Sequence, residues 1–362
     1  MSQVREVDPL ASGDWDRFVR SHPNATVYHL AAWSRILAAA YRFRPSYLEL
    51  RGDDGEIEGV LPLAGRRGLL TGRRLRSLPA IEIGGPLARD RSGEAQLLAA
   101  AGDLAARQGA KLSVDSGHSL PLEGSGLREV RRPPTWIAPI PAPEGYDEWL
   151  SARSSNLRRG VKRAAKHGVT VRLAESELDL RRFYRLYLET MRKHRAAPRS
   201  WRQLELSRRL LGPETFRLFL AEYSGRTIAG GVFHDFGGGL ELLYNGSDET
   251  ALDQRPNHAL YSSVVRWGAE NGRDRLDYGF AWPDTNLGKF KRQWGGEAVA
   301  RFRYETGEAT ASEAPPEESE SEALPEEGER TQARWLSATS DLWGKAPLGV
   351  TRLVAVFAYR YL

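Results

Sequence analysis

The sequence predicts an α/β protein built from a doubled unit, because one order of segments occurs twice. Residues 47–65, "YLELRGDDGEIEGVLPLAG", and residues 216–236, "FRLFLAEYSGRTIAGGVFHDF", each read as a β-hairpin, with DDG and SG at the turns. Each hairpin is followed by a further strand candidate, a helix that ends in glycine, and a short strand that ends in aspartate. The later parts read "QLLAAAGDLAARQGAKLSVDSG" in the first half and "ALYSSVVRWGAENGRDRLDYG" in the second. At 362 residues the chain is also long for a single core, which favours two domains.

Composition narrows the chemistry. The absence of cysteine excludes thiolate nucleophiles, disulfides and cysteine metal sites. Seven scattered histidines form no HxxxH or HxH set, so no metal is expected. A GxSxG elbow, a Walker loop and a dinucleotide fingerprint are also missing. The opening "MSQVREVDPLASGDWDRF" has no basic region followed by an apolar run, and a cytoplasmic protein is expected.

The net charge of +5 conceals a polarity. Residues 308–329 hold nine Glu and no Asp, Lys or Arg, so removing those nine charges leaves the remainder at +14. The tract has the composition of a disordered, self-repelling linker, and the basic body suits anionic partners such as phosphates, nucleic acid or a membrane surface.

Between the two copies, "SSNLRRGVKRAAKHGVTV" (154–171) predicts a helix capped by Ser154 or Ser155 and ended by Gly168. Leu157, Val161, Ala164 and Ala165 give it an apolar stripe, and Arg158, Arg159, Lys162, Arg163 and Lys166 occupy the other faces. No carboxylate occurs from Ser151 to Gly168, so no partner lies within the helix. It is either a binding face for an anion or a solvated face paired elsewhere in the fold. Residues 178–198 read as a core helix. Residues 255–272 read as a helix opened by Pro256, with Asn257 as its cap and Tyr261 one turn in. The stretch "LDYGFAWPDTNLGKFKRQWGGE" (276–297) begins as a buried strand and continues as a largely irregular loop rich in aromatics and cations.

Five of these words, in order, resemble the FemAB-like peptidyltransferases of the GNAT-type acyltransferase superfamily: the basic helix ending in "KHGVTV", then "FYRLYLETM", "PNHALY" and "DYGFAWPDTNLGKFKRQWG", with "VYHLAAWSRIL" (27–37) near the start. The closing "LWGKAPLGVTRLVAVFAYRYL" is also similar. The resemblance implies two tandem GNAT-like domains of mixed β-sheets flanked by helices, an acidic disordered linker and a C-terminal helix. The corresponding expected bounds are 1–150, 151–307, 308–330 and 331–362.

The resemblance also implies transfer of an acyl group, usually an amino acid from aminoacyl-tRNA, to an amine of an anionic cell-wall precursor. The "FK…WG" element falls on Phe290, Lys291, Trp294 and Gly295, which gives Lys291 a phosphate-binding or oxyanion role. Asp277 is placed either to take the amine's proton or to cap the loop. Arg158, Arg159, Lys162, Asn257, Tyr261, Phe290 and Trp294 are the expected substrate-binding residues. Trp282 and Trp294 read either as an aromatic wall or as core packing.

No tightly bound cofactor is expected; the donor is aminoacyl-tRNA or an acyl-CoA. The place where coenzyme A phosphates are usually cradled holds "DETALDQRPNHAL", without glycine, which disfavours acetyl-CoA. A long helical arm for tRNA is also missing. Two alternatives remain: an acetyl-CoA-dependent N-acetyltransferase of exopolysaccharide biosynthesis, and a non-catalytic module that binds an envelope glycolipid or RNA. The terminal "KAPLGVTRLVAVFAYRYL" (345–362) is too short and too basic to span a bilayer. It either rests on a membrane surface, where the enzyme would be peripheral, or docks on the core.

Overall fold

The computed structural model describes residues 3–68, 72–79, 83–194 and 196–307. The expected linker (308–330) and C-terminal helical segment (331–362), with the membrane-surface reading attached to it, lie outside the described residues.

The first half runs β1 (Gln3–Val7), α1 (Asp14–Ser21), α2 (Ala32–Tyr41), β2 (Arg44–Arg51), β3 (Ile57–Gly68), β4 (Gly72–Arg76), β5 (Leu87–Ala88), α3 (Arg91–Gln108), β6 (Lys111–Ser116) and β7 (Leu127–Val130). Next come β8 (Thr135–Pro139), α4 (Tyr146–Ser151), α5 (Ser155–Lys166), β9 (Thr170–Ala174), α6 (Glu177–Lys193), α7 (Trp201–Leu211), β10 (Phe216–Tyr223), β11 (Arg226–Phe236) and β12 (Gly239–Ser247). The last are α8 (Pro256–Glu270), β13 (Arg275–Phe280), α9 (Asn286–Gln293), β14 (Glu297–Val299) and β15 (Phe302–Thr306).

Both predicted hairpins form. β2 pairs antiparallel with β3, and β10 with β11. Ser224 (φ 49°) and Gly225 (φ 74°) turn the second hairpin with two successive left-handed residues, the geometry that matches the twist of its strands. Ser154 caps α5 by accepting from the Leu157 amide at 3.3 Å, and Gly168 (φ 80°) follows its end.

Two mixed sheets flanked by helices result. Their strand orders correspond: β1-β2-β3-β4-β6-β15-β7, with β5 beside β3, and β9-β10-β11-β12-β13-β8-β14. In each sheet four antiparallel strands lead to one parallel pair, β4 with β6 and β12 with β13. Helix α3 covers one face of the first sheet, and α1 and α2 cover the other. Helices α8 and α6 cover opposite faces of the second sheet.

The sheets do not divide at residue 150. β8, from the first stretch of chain, lies between β13 and β14 of the second sheet; β15, from the last described stretch, lies between β6 and β7 of the first. The exchange is reciprocal, with each half donating one strand to the same position in the other.

A buried polar seam also joins the halves. Tyr41 donates to Gln203 Oε1 at 2.6 Å, Gln203 donates to the Tyr244 hydroxyl at 2.8 Å, and Tyr28 donates to Glu241 Oε1 at 2.9 Å. The His234 ring stands edge-on to Tyr28 and Trp33, with ring centroids 5.6 and 5.9 Å away.

Candidate active site

The parallel ladder between β12 and β13 covers only Gly239–Arg275, Leu240–Leu276 and Glu241–Asp277. Beyond it β12 continues beside β11 while β13 pairs with β8, so the two strands part and leave main-chain groups between them without a ladder partner. Several of the expected site residues gather at this opening.

The segment carrying Lys291 is a helix rather than the expected loop. Thr285 caps α9 by accepting from the Gly288 amide at 3.1 Å, and Leu287, Phe290 and Trp294 then repeat at helical spacing onto the core beneath α8. A Cβ on Gly288 would stand 2.3 Å from the Trp282 carbonyl oxygen, so only glycine lets the first turn of α9 sit this close to the preceding chain. Lys291 is buried, 5 % exposed, and its Nζ donates to the Phe280 carbonyl at 2.5 Å, at the end of β13.

Tyr261, on α8, spans the opening from the other side. Its hydroxyl receives a long hydrogen bond from Asn245 of β12, at 3.5 Å, and its ring lies 5.6 Å from Tyr278 of β13. Phe290 and Trp294 lie 5.7 and 5.6 Å from the same ring. Trp294 is fully buried, as the packing alternative for it anticipates, yet it also walls this cluster. The Tyr278 hydroxyl and the Trp294 indole N–H are buried without a hydrogen-bond partner among the described residues. Burial pushes the Tyr278 phenol well above its ordinary range, so it stays a donor. Two unspent donors inside an aromatic enclosure suit a ligand with acceptor atoms.

Asn257 does not cap α8. Arg255, with φ 59°, stands at the N-cap and Pro256 opens the helix, so Asn257 falls inside the first turn. Its amide nitrogen reaches Ser247 Oγ at 3.5 Å, and its Oδ1 is buried without a partner among the described residues. The next residue, His258, fixes α5 against α8: a Cβ on Gly160 would stand 2.2 Å from the His258 ring. Burial, with the Arg255 charge adding to it, holds the His258 imidazole below its ordinary pKa.

This contact packs the Leu157, Gly160 and Ala164 face of α5 inward, and Arg158, Arg159, Arg163 and Lys166 stay exposed. Arg158 donates to the Ser151 carbonyl at 2.5 Å. For Arg159, Lys162, Arg163 and Lys166 no carboxylate partner stands among the described residues.

Asp277 is engaged on three sides. It accepts from Thr135 Oγ1 and from the Gly279 amide at 2.8 Å, and it pairs with Arg301 at 3.3 Å. Along β13 it alternates with the buried Leu276 and Tyr278, so it is set apart from the aromatic cluster. Asp115, its counterpart in the first half, is fully buried. Burial disfavours its charged form, but the Arg303, Arg76 and Arg132 guanidiniums outweigh that and hold its carboxyl below the usual range. Among the described residues no three His, Asp or Glu side chains converge as metal ligands, and no helix is long and apolar enough to cross a membrane.

Residues 151–292 match the acetyltransferase (GNAT) domain family. The crystal structure of FemX superposes with a TM-score of 0.66 at 18% identity, covering 83% of this chain and 96% of that one. The fold is that of FemX. A tandem GNAT protein from the clavulanic acid biosynthesis pathway superposes with a TM-score of 0.51 at 12% identity, covering 86% of this chain and all of that one. In sequence, 130 residues are 24% identical to a UDP-N-acetylmuramoylpentapeptide-lysine N(6)-alanyltransferase of Weissella viridescens. That match spans 36% of this chain and 38% of the relative's length.

Within the FemX-like fold, the opening brings Lys291, Tyr261, Phe290 and Trp294 into one cluster, with Asn257 on the first turn of the same helix as Tyr261. Arg158, Arg159 and Lys162 lie outside it on α5, and Asp277 is bonded to Thr135, the Gly279 amide and Arg301. Sequence reading missed Tyr278 and Asn245. Tyr278 sits in the same quoted strand as Asp277, and its alternation with Asp277 was the available signal.

Proposed function

We propose that the protein is an aminoacyltransferase that moves an amino acid from aminoacyl-tRNA to an amine of an anionic cell-envelope precursor at the inner face of the membrane. The observation that carries this reading is the buried Lys291 ammonium, held at the point where β12 and β13 part. The acceptor nitrogen attacks the ester carbonyl, the C–N bond forms, the bond to the ribose oxygen breaks, and the amine's proton leaves with that oxygen. Negative charge gathers on the carbonyl oxygen during attack, and a fixed ammonium in a water-poor site stabilises it. Tyr261 and Tyr278 supply neutral donors beside it, and Phe290 and Trp294 exclude water.

The exposed cations of α5, the helix that packs against the first turn of α8 through Gly160, hold the donor's phosphates. The FemX-like fold and the alanyltransferase relative support an envelope precursor as acceptor. Purified protein incubated with charged tRNA and a nucleotide-linked muropeptide tests the reading: mass spectrometry should find the muropeptide heavier by one aminoacyl residue.

A second reading, N-acetylation from acetyl-CoA, is favoured by the GNAT domain match. Against it stands the start of α8, where Arg255 and Pro256 replace a glycine-rich cradle. Thermal stabilisation by acetyl-CoA rather than by charged tRNA would select it.

A further inference from the structure

The reciprocal strand exchange requires the chain to cross between the sheets twice. The first crossing, residues 131–134 between β7 and β8, reads Arg-Arg-Pro-Pro; the second, residues 300–301 between β14 and β15, ends in Arg301. Both crossings line one cavity of about 440 Å³, whose walls include Glu129, Arg131, Arg132, Pro134, Arg301 and Phe302. From these residues and general chemistry we infer that this cavity is a diphosphate-binding pocket.

Three guanidiniums face one carboxylate around the cavity. Glu129 opposes an anion, and the three arginines outnumber it. Each arginine is fixed before any ligand arrives. Arg131 stacks on Trp282, with its guanidinium 4.9 Å from the ring. Arg132 lies 6.0 Å from the Phe280 ring and 4.0 Å from Asp115, a carboxylate it shares with Arg76 and Arg303. Arg301 pairs with Asp277 at 3.3 Å through one terminal nitrogen, while its Nε is buried without a partner among the described residues.

Pro133 and Pro134 stiffen the first crossing and contribute no N–H, so the side chains must recognise any ligand there. Planar guanidiniums held this way match the paired oxygens of phosphate groups. An open-sided pocket of about 440 Å³ fits a compact diphosphate with a sugar or chain leading out, whereas an RNA backbone needs a continuous surface track. The inference rests on the transfer reading only for the molecule that bears the diphosphate; binding is measured without turnover.

Titration calorimetry of the full chain with inorganic pyrophosphate, uridine diphosphate and farnesyl diphosphate tests the pocket. The wild-type chain is expected to bind pyrophosphate. Arg131→Gln and Arg301→Gln should each weaken binding about tenfold or more, as expected for one lost charge-assisted hydrogen bond. Melting without ligand checks that each variant folds; Arg131→Gln, whose side chain is exposed, decides alone if Arg301→Gln does not.

Tighter binding of uridine diphosphate supports the pocket with a nucleotide-linked source, and tighter binding of farnesyl diphosphate supports it with a lipid-linked one. No pyrophosphate binding at millimolar concentration, or variants that bind as wild type, overturns the pocket. It is equally overturned if binding is lost only in an Arg159→Gln, Lys162→Gln double variant. Pyrophosphate binding that Arg131→Gln abolishes, in a chain that transfers nothing, leaves the pocket standing and removes the transferase reading instead.

Discussion

The Nζ of Lys291 donates to the Phe280 carbonyl at 2.5 Å, which ties a charged side chain at the aromatic cluster to the last residue of β13. The ammonium is therefore both placed and buried before substrate arrives. Such preorganisation separates a stabiliser of developing charge from a surface lysine that must first give up its water.

Replacing Lys291 by alanine is expected to lower turnover by about 100-fold or more, the loss seen when one oxyanion donor is removed. The Phe280 carbonyl would lose its partner, so stability should also fall, by about 1–3 kcal/mol. Turnover of the purified variant, measured at a temperature where melting shows it folded, separates the two effects. Activity near wild type would end the catalytic role of Lys291.

For Asp277→Asn the expected effect is structural. Its carboxylate holds Thr135, the Gly279 amide and Arg301, so the melting temperature should drop while the acidic limb of the kcat/KM profile against pH stays in place. Disappearance of that limb would make Asp277 the general base.

Neutralising Arg159 and Lys162 together, as Arg159→Gln with Lys162→Gln, should raise the apparent KM for charged tRNA and flatten its dependence on salt. Steady-state kinetics between low and physiological salt measure both. An unchanged salt slope would leave α5 a solvated face.

Stability should fall in mild acid through two buried histidines. Burial pushes His234 down to about 3, and burial also pushes His29 down to about 4, against an ordinary 6.5. Between those values the unfolded chain binds protons that the folded chain refuses. The contribution is thus complete above the unfolded value and is lost as pH falls toward the folded one, with a slope of about 1.4 kcal/mol per pH unit for each histidine at most. Melting temperatures between pH 7 and pH 5 should decline, and less steeply in His234→Gln. Equal slopes would show that His234 does not carry the effect.

The repeat was legible in the sequence because hairpins and their following helices are local patterns: DDG and SG mark turns whatever surrounds them. Lys291, Phe290 and Trp294 were legible as a motif, but their helix was not. Pro283 and Gly288 suggest irregular chain, while the Thr285 cap and the packing of Trp294 make it the eight-residue helix α9, about two turns long. The strand exchange was hidden for a different reason. β8 and β15 are short and carry no mark of which sheet they enter; the pairing is decided by the gaps beside β6 and β13. The arginines of the two crossings were therefore passed over as loop residues, since nothing local to "RRPP" points to a partner about 170 positions away.

The same exchange constrains how the protein can be made. On the ribosome, β6 and β7 emerge well before β15, whose Arg303 reaches Asp115 across 188 positions. Until then the first sheet lacks an inner strand and exposes two unpaired edges, and its buried aspartate lacks one of its cations. The amino-terminal half therefore cannot finish folding as a nascent unit. A message truncated between β14 and β15 would release a chain whose second sheet is complete and whose first is open, the form that chaperones or proteases would recognise.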